Sequence, residues 1–377
     1  MDLRGAEMIS TENAFYYVVD ERLVDMAFIL AGQINDIWKQ DVHIFVESSG
    51  GSQGVGERRQ RPGVYYHDNL LTPFLPKNLP ESGKWPAIVY LRVFAPSFLK
   101  NYKRLIYLDV DILPVRAEER IWDLDLNGSL GAVHDYEVTH NSPVRGMTRQ
   151  GWLESIGVFG GRYFNSGVLV LDTKSWCTID FASALEEFAR KYRRGMKMFD
   201  QDFLNCYFQD TWKELSPGWN YQASIFSQGL DRVSSPVFIH FSKPDKPWKG
   251  RFCSDVLDID NIGNEFLRRL AANASIDISF HIDPVRHSYF TVKKLNLRRS
   301  LSKLGVTTKK ERKLRREWDL RRQNLAEYLE RARNDGRFAD GWNVTNRPLD
   351  CRPVFDGKTL RLPVPEDVVA MLGDTKG

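Results

Sequence analysis

Two aspartates separated by one residue, Asp109 and Asp111, directly follow an apolar run at residues 105–108 that is typical of a buried strand. Side chains alternate along a strand, so a strand continuing through Val110 would project both carboxylates to one side. Carboxylates this close repel each other unless a divalent cation lies between them. Ligands of open α/β sheets bind beyond the carboxyl ends of the strands, which is where this pair falls. The pair is therefore a candidate metal site, although an isolated D-x-D more often ends a strand without binding a ligand.

Strand and helix patterns alternate around this pair. An aromatic and β-branched run at 15–20 is followed by helical spacing of apolar residues at 23–38 and by a second apolar run at 42–47. This β-α-β order predicts a parallel sheet. Further patterns predict helices at 88–102, at 181–194 and after 200–202, a strand at 168–171, and long loops at 50–84 and 139–161.

Four other segments accompany the D-x-D pair in a fixed order. Arg92 precedes the pair on the predicted helix, and Asn165-Ser166-Gly167-Val168 and Asp200-Gln201-Asp202 follow it. His240-Phe241 then leads to Lys246-Pro247-Trp248. In this order the segments resemble the retaining glycosyltransferase family, family 8, that contains glycogenin and bacterial lipopolysaccharide galactosyl- and glucosyltransferases. The resemblance covers residues 15–250.

That resemblance implies a GT-A type fold for residues 12–285, a Rossmann-like α/β domain with a mixed, mostly parallel sheet flanked by helices. A basic, largely helical extension would follow at 286–377. The implied reaction moves a hexose, galactose or glucose, from a UDP-sugar to a hydroxyl of a glycan or lipopolysaccharide-type saccharide. Asp109, Asp111 and His240 would hold Mn²⁺, with Mg²⁺ as the other candidate, because oxygen ligands with one imidazole suit these metals better than zinc. The cation would neutralise the departing diphosphate, and Lys246 would add a second positive charge there.

The resemblance also assigns the donor site. Val18 and Asp20 would line the uracil and ribose site. The rest of the implied donor-binding set is Arg92, Asp109, Val110, Asn165, Ser166, Gly167, Asp200, Gln201 and Lys246. For Arg92 alone, an exposed helical salt bridge is the competing interpretation. At Lys243 the sequence departs from the family pattern, which has glycine there.

Family members retain the anomeric configuration, either by a covalent double displacement or by departure and attack on one face of the sugar. An amide is a poor nucleophile, so the front-face route is favoured, with Gln201 and Asp200 stabilising positive charge at the sugar. Asp200 and Asp202 are the candidate nucleophiles for the covalent route.

Basic residues are concentrated near the C-terminal end of the sequence. The formal net charge is +4, yet residues 298–333 hold thirteen Lys or Arg against five Asp or Glu. Their sparse apolar spacing predicts exposed or surface-lying helices. Contact with an anionic membrane and a solvated, salt-bridged helix both remain open. Nucleic-acid binding is disfavoured, because aromatic residues are not interleaved with the basic ones.

Other features bear on location and on the competing functions. No apolar run approaches the roughly 18 residues that cross a bilayer and the N-terminal residues lack a secretory pattern, so we expect a cytoplasmic protein, at most peripheral on the inner membrane face. The scattered Cys177, Cys206, Cys253 and Cys351 are predicted to be ordinary thiols. The alternatives to a transferase are a nucleotide-sugar- or carbohydrate-binding protein without turnover, and a nucleic-acid-associated phosphotransferase. The latter would need a phosphate-binding glycine loop, which the sequence lacks.

Overall fold

The computed structural model describes residues 12–47, 58–82, 86–136, 146–222, 225, 236–242, 270–276, 289–341, 354–355 and 360–361. Its main sheet contains β1 (Asn13–Val19), β2 (Asp41–Val46), β3 (Val64–Asp68), β4 (Arg104–Leu108), β6 (Leu130–His134), β7 (Phe164–Asp172) and β8 (Lys213–Leu215). Their order is β3-β2-β1-β4-β7-β6-β8. β7 runs antiparallel to both of its neighbours, and the other pairings in this sheet are parallel. The predicted mixed, mostly parallel sheet is therefore confirmed.

A second sheet of three strands lies beyond the end of β4. It is formed by β5 (Ile112–Pro114), β9 (Tyr221–Gln222) and β10 (Phe238–His240), with β10 in the middle. β11 (Val354–Phe355) and β12 (Leu360–Arg361) form a separate pair. Among the described residues, the α-helices with established bounds are α1 (Val24–Trp38), α2 (Arg149–Ser155), α3 (Thr173–Trp176), α4 (Phe181–Tyr192), α5 (Asp200–Tyr207), α6 (Tyr289–Lys303) and α7 (Lys309–Asn334).

Both faces of the main sheet are covered, which explains why its central strands read as continuous apolar runs. Phe15 and Ile106 contribute to an apolar cluster on one face, together with the buried stripe of α1. Tyr16 and Tyr107 point to the other face, where α4 and α5 supply the apolar cover. This packing fixes β1 and β4 side by side, so their carboxyl ends meet at one sheet edge.

Three segments differ from the sequence-based expectation. β3 lies within the predicted loop at 50–84, paired with β2, and α2 lies within the predicted loop at 139–161. In place of a helix at 88–102 the chain forms two 3₁₀ segments, Ala87–Val93 and Ala95–Phe98. Pro96 has no backbone N–H to donate to a preceding turn, so a continuous α-helix cannot run through it without a break.

The second half of α7 packs against the main domain. Leu325, Leu329 and Ala332 are buried in the same cluster as α1, at the spacing of one helix face. Beside them the Tyr328 hydroxyl donates to Glu214 Oε1 at 2.5 Å. The expectation of exposed or surface-lying helices therefore holds for α7, on which Leu320 is 59% exposed, whereas the position of its buried stripe was not predicted.

Replacing Leu325 with Ala should test the importance of this contact. Leu325 is fully buried, so we expect the free energy of unfolding to fall by about 2–5 kcal/mol. Leu320→Ala on the exposed side of α7 is the matched control and should change it by less than about 0.5 kcal/mol. Chemical denaturation measures both, and equal effects would contradict the packing of α7.

None of the helices in the described ranges combines the length and the apolarity needed to cross a bilayer.

The structure tests the expectations for the cysteines and for the domain boundary only in part. Cys177 and Cys206 are free thiols, as predicted, whereas Cys253 and Cys351 lie outside the described residues. The domain boundary between 285 and 286 also lies outside them and stays a prediction.

Candidate active site

Asp109, Asp111 and His240 meet at the carboxyl end of β4. One ligand atom from each of the three side chains lies within 4.8 Å of the other two. His240 Nε2 is 3.4 Å from Asp111 Oδ1. β10 pairs antiparallel with β5, in a register that sets His240 opposite Ile112. Pairing in the second sheet thus places His240 beside Asp111, although these two residues are far apart in sequence.

The D-V-D segment lies in a turn between β4 and β5, so the expectation that it continues the strand is wrong. The Ile112 N–H donates to the Asp109 carbonyl at 3.1 Å, and the Asp109 N–H donates to the Gly167 carbonyl at 2.8 Å. Val110 packs half-buried against the core cluster of α1. The turn, and not strand alternation, brings the two carboxylates together.

A chain of hydrogen bonds determines which nitrogen of His240 faces Asp111. An ionised carboxylate only accepts, and Asp135 Oδ2 accepts from Asn165 Nδ2 at 3.3 Å. Asn165 Oδ1 accepts from Asn220 Nδ2 at 2.8 Å, so Asn220 Oδ1 is the atom 2.8 Å from His240 Nδ1. His240 Nδ1 therefore donates to Asn220, and Nε2 is the ring nitrogen that faces Asp111. A metal-ligating histidine has this arrangement, in which the nitrogen that does not bind the metal donates to a partner.

The residues present fit a divalent cation. Two carboxylates and one imidazole form a donor set suited to manganese or magnesium. Gly167 in β7 leaves space for the imidazole, because a Cβ there would lie 2.6 Å from His240 Cε1. This chain therefore provides three candidate ligands, a donor position for Nδ1 and space for the imidazole.

Replacing Asn220 with Leu should weaken cation binding without touching a ligand atom. The substitution removes the acceptor of His240 Nδ1, and changes to such supporting groups typically cost about 10–100-fold in metal affinity. Titration with Mn²⁺ measures the effect, and the exposed Asn101→Leu is the control. An unchanged Mn²⁺ dissociation constant in a folded Asn220→Leu protein would show that the hydrogen bond from His240 to Asn220 does not support cation binding.

Arg92 connects the aspartate pair to the D-Q-D segment. It is 7% exposed, so the competing interpretation of an exposed salt bridge is wrong. Its Nη1 is 3.0 Å from Asp109 Oδ1 and its Nε is 3.2 Å from Asp200 Oδ2. Burial alone would lower the pKa of Arg92, but the two carboxylates raise it above its ordinary value. The guanidinium lies over the Tyr107 ring, whose hydroxyl donates to Asp109 Oδ1 at 2.6 Å.

The N-S-G motif lies inside β7, which begins four residues earlier than the predicted strand. The Ser166 N–H donates to Gln201 Oε1 at 3.0 Å, and the Ser166 carbonyl accepts from Arg92 Nη1 at 3.1 Å. The Gly167 N–H donates to Asn165 Oδ1 at 3.0 Å. The motif therefore connects the hydrogen bonds that orient His240 to the residues of α5.

Asp200, Gln201 and Asp202 form the first turn of α5 and have different surroundings. The Gln201 amide is held at both ends, since its Nε2 also donates to Asp135 Oδ2 at 2.9 Å. Burial raises the pKa of Asp200 to about 7, although Arg92 opposes the shift. Asp202 is fully buried and accepts from the Tyr163 hydroxyl at 2.5 Å and from two backbone N–H groups, those of Lys197 and Met198.

Two predicted donor residues, Val18 and Asp20, lie apart from this network. Val18 is half-buried near the end of β1, two residues beyond Tyr16, which pairs with Tyr107 of β4. Asp20 caps the 3₁₀ segment Glu21–Leu23 and lies 2.6 Å from Arg22 Nη2. Both therefore occupy the same sheet edge as Asp109. Lys246 lies outside the described residues, as does Lys243.

Sequence reasoning missed Asp135 and Asn220. Asp135 directly follows the strand β6, so the rule that singled out Asp109 could have found it. Asn220 follows Pro217-Gly218-Trp219 in a 3₁₀ segment, and no pattern in the sequence distinguishes it from a loop residue.

The mixed sheet and the carboxylate–imidazole group at its edge define a GT-A type α/β protein. The family model of glycosyl transferase family 8 matches residues 56–251, which is more than half of the chain. The chain belongs to that family.

Similarity to individual proteins covers part of the chain. It is 28% identical to General stress protein A of Bacillus subtilis over 185 residues, 45% of this chain and 61% of the relative. It is also 28% identical to lipopolysaccharide 1,2-glucosyltransferase of Escherichia coli K12 over 181 residues, 45% of this chain and 52% of the relative. The crystal structure of the galactosyltransferase LgtC with donor and acceptor sugar analogues matches 69% of this chain and 95% of that chain, with a TM-score of 0.54 and 21% identity. The match thus spans less than two thirds of these curated relatives, and the likeness to LgtC shows the fold.

Proposed function

We propose that this protein transfers a hexose, galactose or glucose, from a UDP-sugar to a hydroxyl of a saccharide, with a divalent cation held by Asp109, Asp111 and His240. The observation that carries the proposal is the meeting of these three side chains within 4.8 Å at the edge of a GT-A type sheet. Membership of glycosyl transferase family 8 supports glycosyl transfer. The Escherichia coli relative, named a lipopolysaccharide 1,2-glucosyltransferase, supports a glucose donor and a lipopolysaccharide-type acceptor.

The proposed roles follow the surroundings of each residue. Mn²⁺ or Mg²⁺ supplies positive charge beside the diphosphate that leaves. Val18 and Asp20 contact the nucleoside, Val110 lies between the metal-binding acids, and Lys246 contacts the diphosphate. Arg92 holds Asp109 and Asp200 in fixed positions through its two ion pairs. Asn165, Ser166 and Gly167 position the imidazole and the Gln201 amide.

Retention by front-face attack is the route that the hydrogen bonds support. Ser166 and Asp135 hold the two ends of the Gln201 amide, so the direction of its dipole is fixed at the place that we propose for the sugar. Asp200 forms an ion pair with Arg92, and we assign it the stabilisation of positive charge on the sugar. Asp202 accepts hydrogen bonds from the Tyr163 hydroxyl and from the N–H groups of Lys197 and Met198, which supports a positioning role over that of a nucleophile.

A panel of nucleotide sugars tests the proposed function. We expect hydrolysis of UDP-galactose or UDP-glucose in the presence of Mn²⁺ and none in the presence of a chelator. The runner-up, a nucleotide-sugar- or carbohydrate-binding protein without turnover, would be protected against thermal unfolding by the same donors but would not cleave them. If no UDP-sugar is hydrolysed and none protects the protein against unfolding, both functions are overturned.

We further propose that α6 and α7 bring the protein to an anionic surface on the cytoplasmic face of a membrane. The two helices and the segment that joins them carry exposed apolar side chains among Lys and Arg: Tyr289, Phe290, Leu297, Leu304, Val306 and Leu320. Each basic residue at such a surface contributes on the order of 1 kcal/mol. Deleting α7 would also remove its buried stripe, so charge substitutions are the cleaner test.

The test replaces the exposed Lys309, Lys310, Lys313 and Arg316 with Gln. We expect co-sedimentation with phosphatidylglycerol vesicles to fall at least tenfold, while phosphatidylcholine vesicles bind neither protein. An unchanged sedimentation profile would support the solvated, salt-bridged helix instead.

A further inference from the structure

A carboxylate from the segment that follows α7 holds the short 3₁₀ segment that contains Asn220. This segment, Pro217–Asn220, lies between β8 and β9, and we call it the Asn220 segment. Asp340 Oδ1 accepts from the Ser216 N–H at 3.1 Å. Asp340 Oδ2 accepts from the Ser216 hydroxyl at 2.5 Å and from the Trp219 indole N–H at 3.0 Å. One carboxylate therefore contacts the residue before the Asn220 segment and the residue before Asn220 itself.

The chain on either side of this contact is fixed to the edge of the main sheet. The Ala339 N–H donates to the Glu214 carbonyl at 2.8 Å, and Phe338 forms a parallel bridge with Glu214, which is a residue of β8. Phe338 is also buried in the same apolar cluster as Trp219. The sheet edge and the apolar cluster thus determine where the Asp340 carboxylate lies.

The Asn220 segment depends on contacts from other parts of the chain. A short 3₁₀ segment is weakly stable by itself, because its hydrogen bonds have poor geometry, and here the Trp219 N–H donates to the Ser216 carbonyl at 3.2 Å. Ser216 and Trp219 are each 3% exposed, so loss of the carboxylate would deprive buried donors of their acceptor. Hydrogen bonds to an ionised carboxylate are also stronger than those between neutral groups. Asp340 is therefore well suited to fix the segment.

The Asn220 segment contacts the strand of His240 at two places. Asn220 Oδ1 is 2.8 Å from His240 Nδ1, and the Gly218 carbonyl accepts from the Val237 N–H at 2.7 Å, directly before β10. β9 follows the segment and pairs with β10. Asn220 and His240 are both buried, and close packing transmits a shift of one side chain to its neighbour. Movement of the segment should therefore move the imidazole.

We propose that Asp340 is a positioning residue for His240, so that the segment after α7 supports the cation site. The inference rests on the proposed function, because it takes His240 to be a ligand of the cation. Asp340 lies beyond residues 56–251, which the family model matches, so membership of the family does not supply this role. If Asp340 only stabilised the fold, its loss would lower the stability of the protein and leave the Mn²⁺ affinity of the folded protein unchanged.

Calorimetric titration of the whole chain with Mn²⁺ tests the proposal. Loss of a group that holds a ligand directly costs about 10–100-fold in metal affinity, and Asp340 acts one step further out, so we expect Asp340→Ala to lose about three- to tenfold. Asp335→Ala is the matched control, because it removes a half-exposed carboxylate of the same segment that pairs with Arg337. It should bind Mn²⁺ like the native protein. Unchanged Mn²⁺ affinity in folded Asp340→Ala overturns the proposal.

A double-mutant cycle with Asn220→Leu separates positioning from general destabilisation. Because Asp340 acts through Asn220, Asp340→Ala should change the Mn²⁺ affinity of the Asn220→Leu protein by less than about twofold. A loss by the same factor in both backgrounds would show independent effects and overturn the proposal. If Asp340→Ala does not fold, Ser216→Ala, which removes the hydroxyl contact alone, replaces it in the cycle. A loss of affinity that is confined to the native background then supports the proposal, and an unchanged affinity overturns it.

The nitrogen resonances of the His240 ring, measured without metal and assigned with His240→Gln, keep the two proposals apart. They report the surroundings of Nδ1 and Nε2, so Asp340→Ala should shift them and Asp335→Ala should not. Unchanged His240 resonances in folded Asp340→Ala overturn the positioning role, even where the native protein binds Mn²⁺. If the native protein does not bind Mn²⁺, the proposed cation site fails, and the resonances alone decide whether Asp340 positions His240.

Discussion

Replacing Asp111 with Asn should abolish Mn²⁺-dependent cleavage of the donor and leave thermal unfolding nearly unchanged. Asp111 faces Asp109 and His240 at the sheet edge, and its side chain is 15% exposed. The amide keeps the shape but loses the charge that a divalent cation requires. Changes to supporting groups alone cost about 10–100-fold in metal affinity, so loss of a ligand should exceed about a hundredfold.

The matched control for Asp111→Asn is Asp123→Asn, which removes one carboxylate from an exposed position. Its cleavage rate and Mn²⁺ affinity should equal those of the native protein. Both variants should unfold within about 0.5 kcal/mol of the native free energy, because neither side chain supports the core. Retained cleavage by Asp111→Asn would show that this carboxylate does not hold the cation.

Replacing Gly167 with Ala should damage the same site from its opposite side. The added Cβ would lie 2.6 Å from His240 Cε1 and 2.9 Å from Asn165 Oδ1. His240 is buried between β5 and β9, so its ring cannot move without disturbing the Asn220 hydrogen bond. We expect a loss of about 1–3 kcal/mol in the free energy of unfolding, from overpacking.

Gly167→Ala should also weaken Mn²⁺ binding by at least about tenfold, since displacement of the imidazole moves Nε2 relative to the two carboxylates and disturbs the hydrogen bond of Nδ1 to Asn220. Calorimetric titration measures the affinity, and chemical denaturation measures the stability. Gly160→Ala is the control, because a Cβ at Gly160 meets no atom within 4 Å. If both alanine variants bind Mn²⁺ like the native protein, the close contact between Gly167 and His240 has no functional meaning.

The framework of the fold was predictable because burial on both faces leaves a plain signal. The runs at β1, β2 and β4 are continuously apolar, and the structure places each within two residues of its predicted bounds. β3 was missed because an edge strand needs cover on fewer sides, so Tyr65, Tyr66 and His67 do not form an apolar run. The buried stripe of α7 was missed because three apolar residues among many charges give a weak pattern.

The site shows the same division between local and distant information. The pair Asp109 and Asp111 could be located because it follows a strongly patterned strand, and the motif resemblance added His240. The hydrogen bonds that orient His240 join β6, β7 and a 3₁₀ segment through Asp135, Asn165 and Asn220. Such contacts depend on the three-dimensional path of the chain, and no spacing in the sequence encodes them.

The central claim is that two aspartates and one histidine hold a divalent cation. Diffraction from Mn²⁺-soaked crystals, collected at the manganese absorption edge, tests it most directly. The account predicts an anomalous peak about 2.0–2.3 Å from carboxylate oxygens of Asp109 and Asp111 and from His240 Nε2, a range typical of oxygen and imidazole ligands. A peak elsewhere, or none at this sheet edge at saturating Mn²⁺, would contradict it.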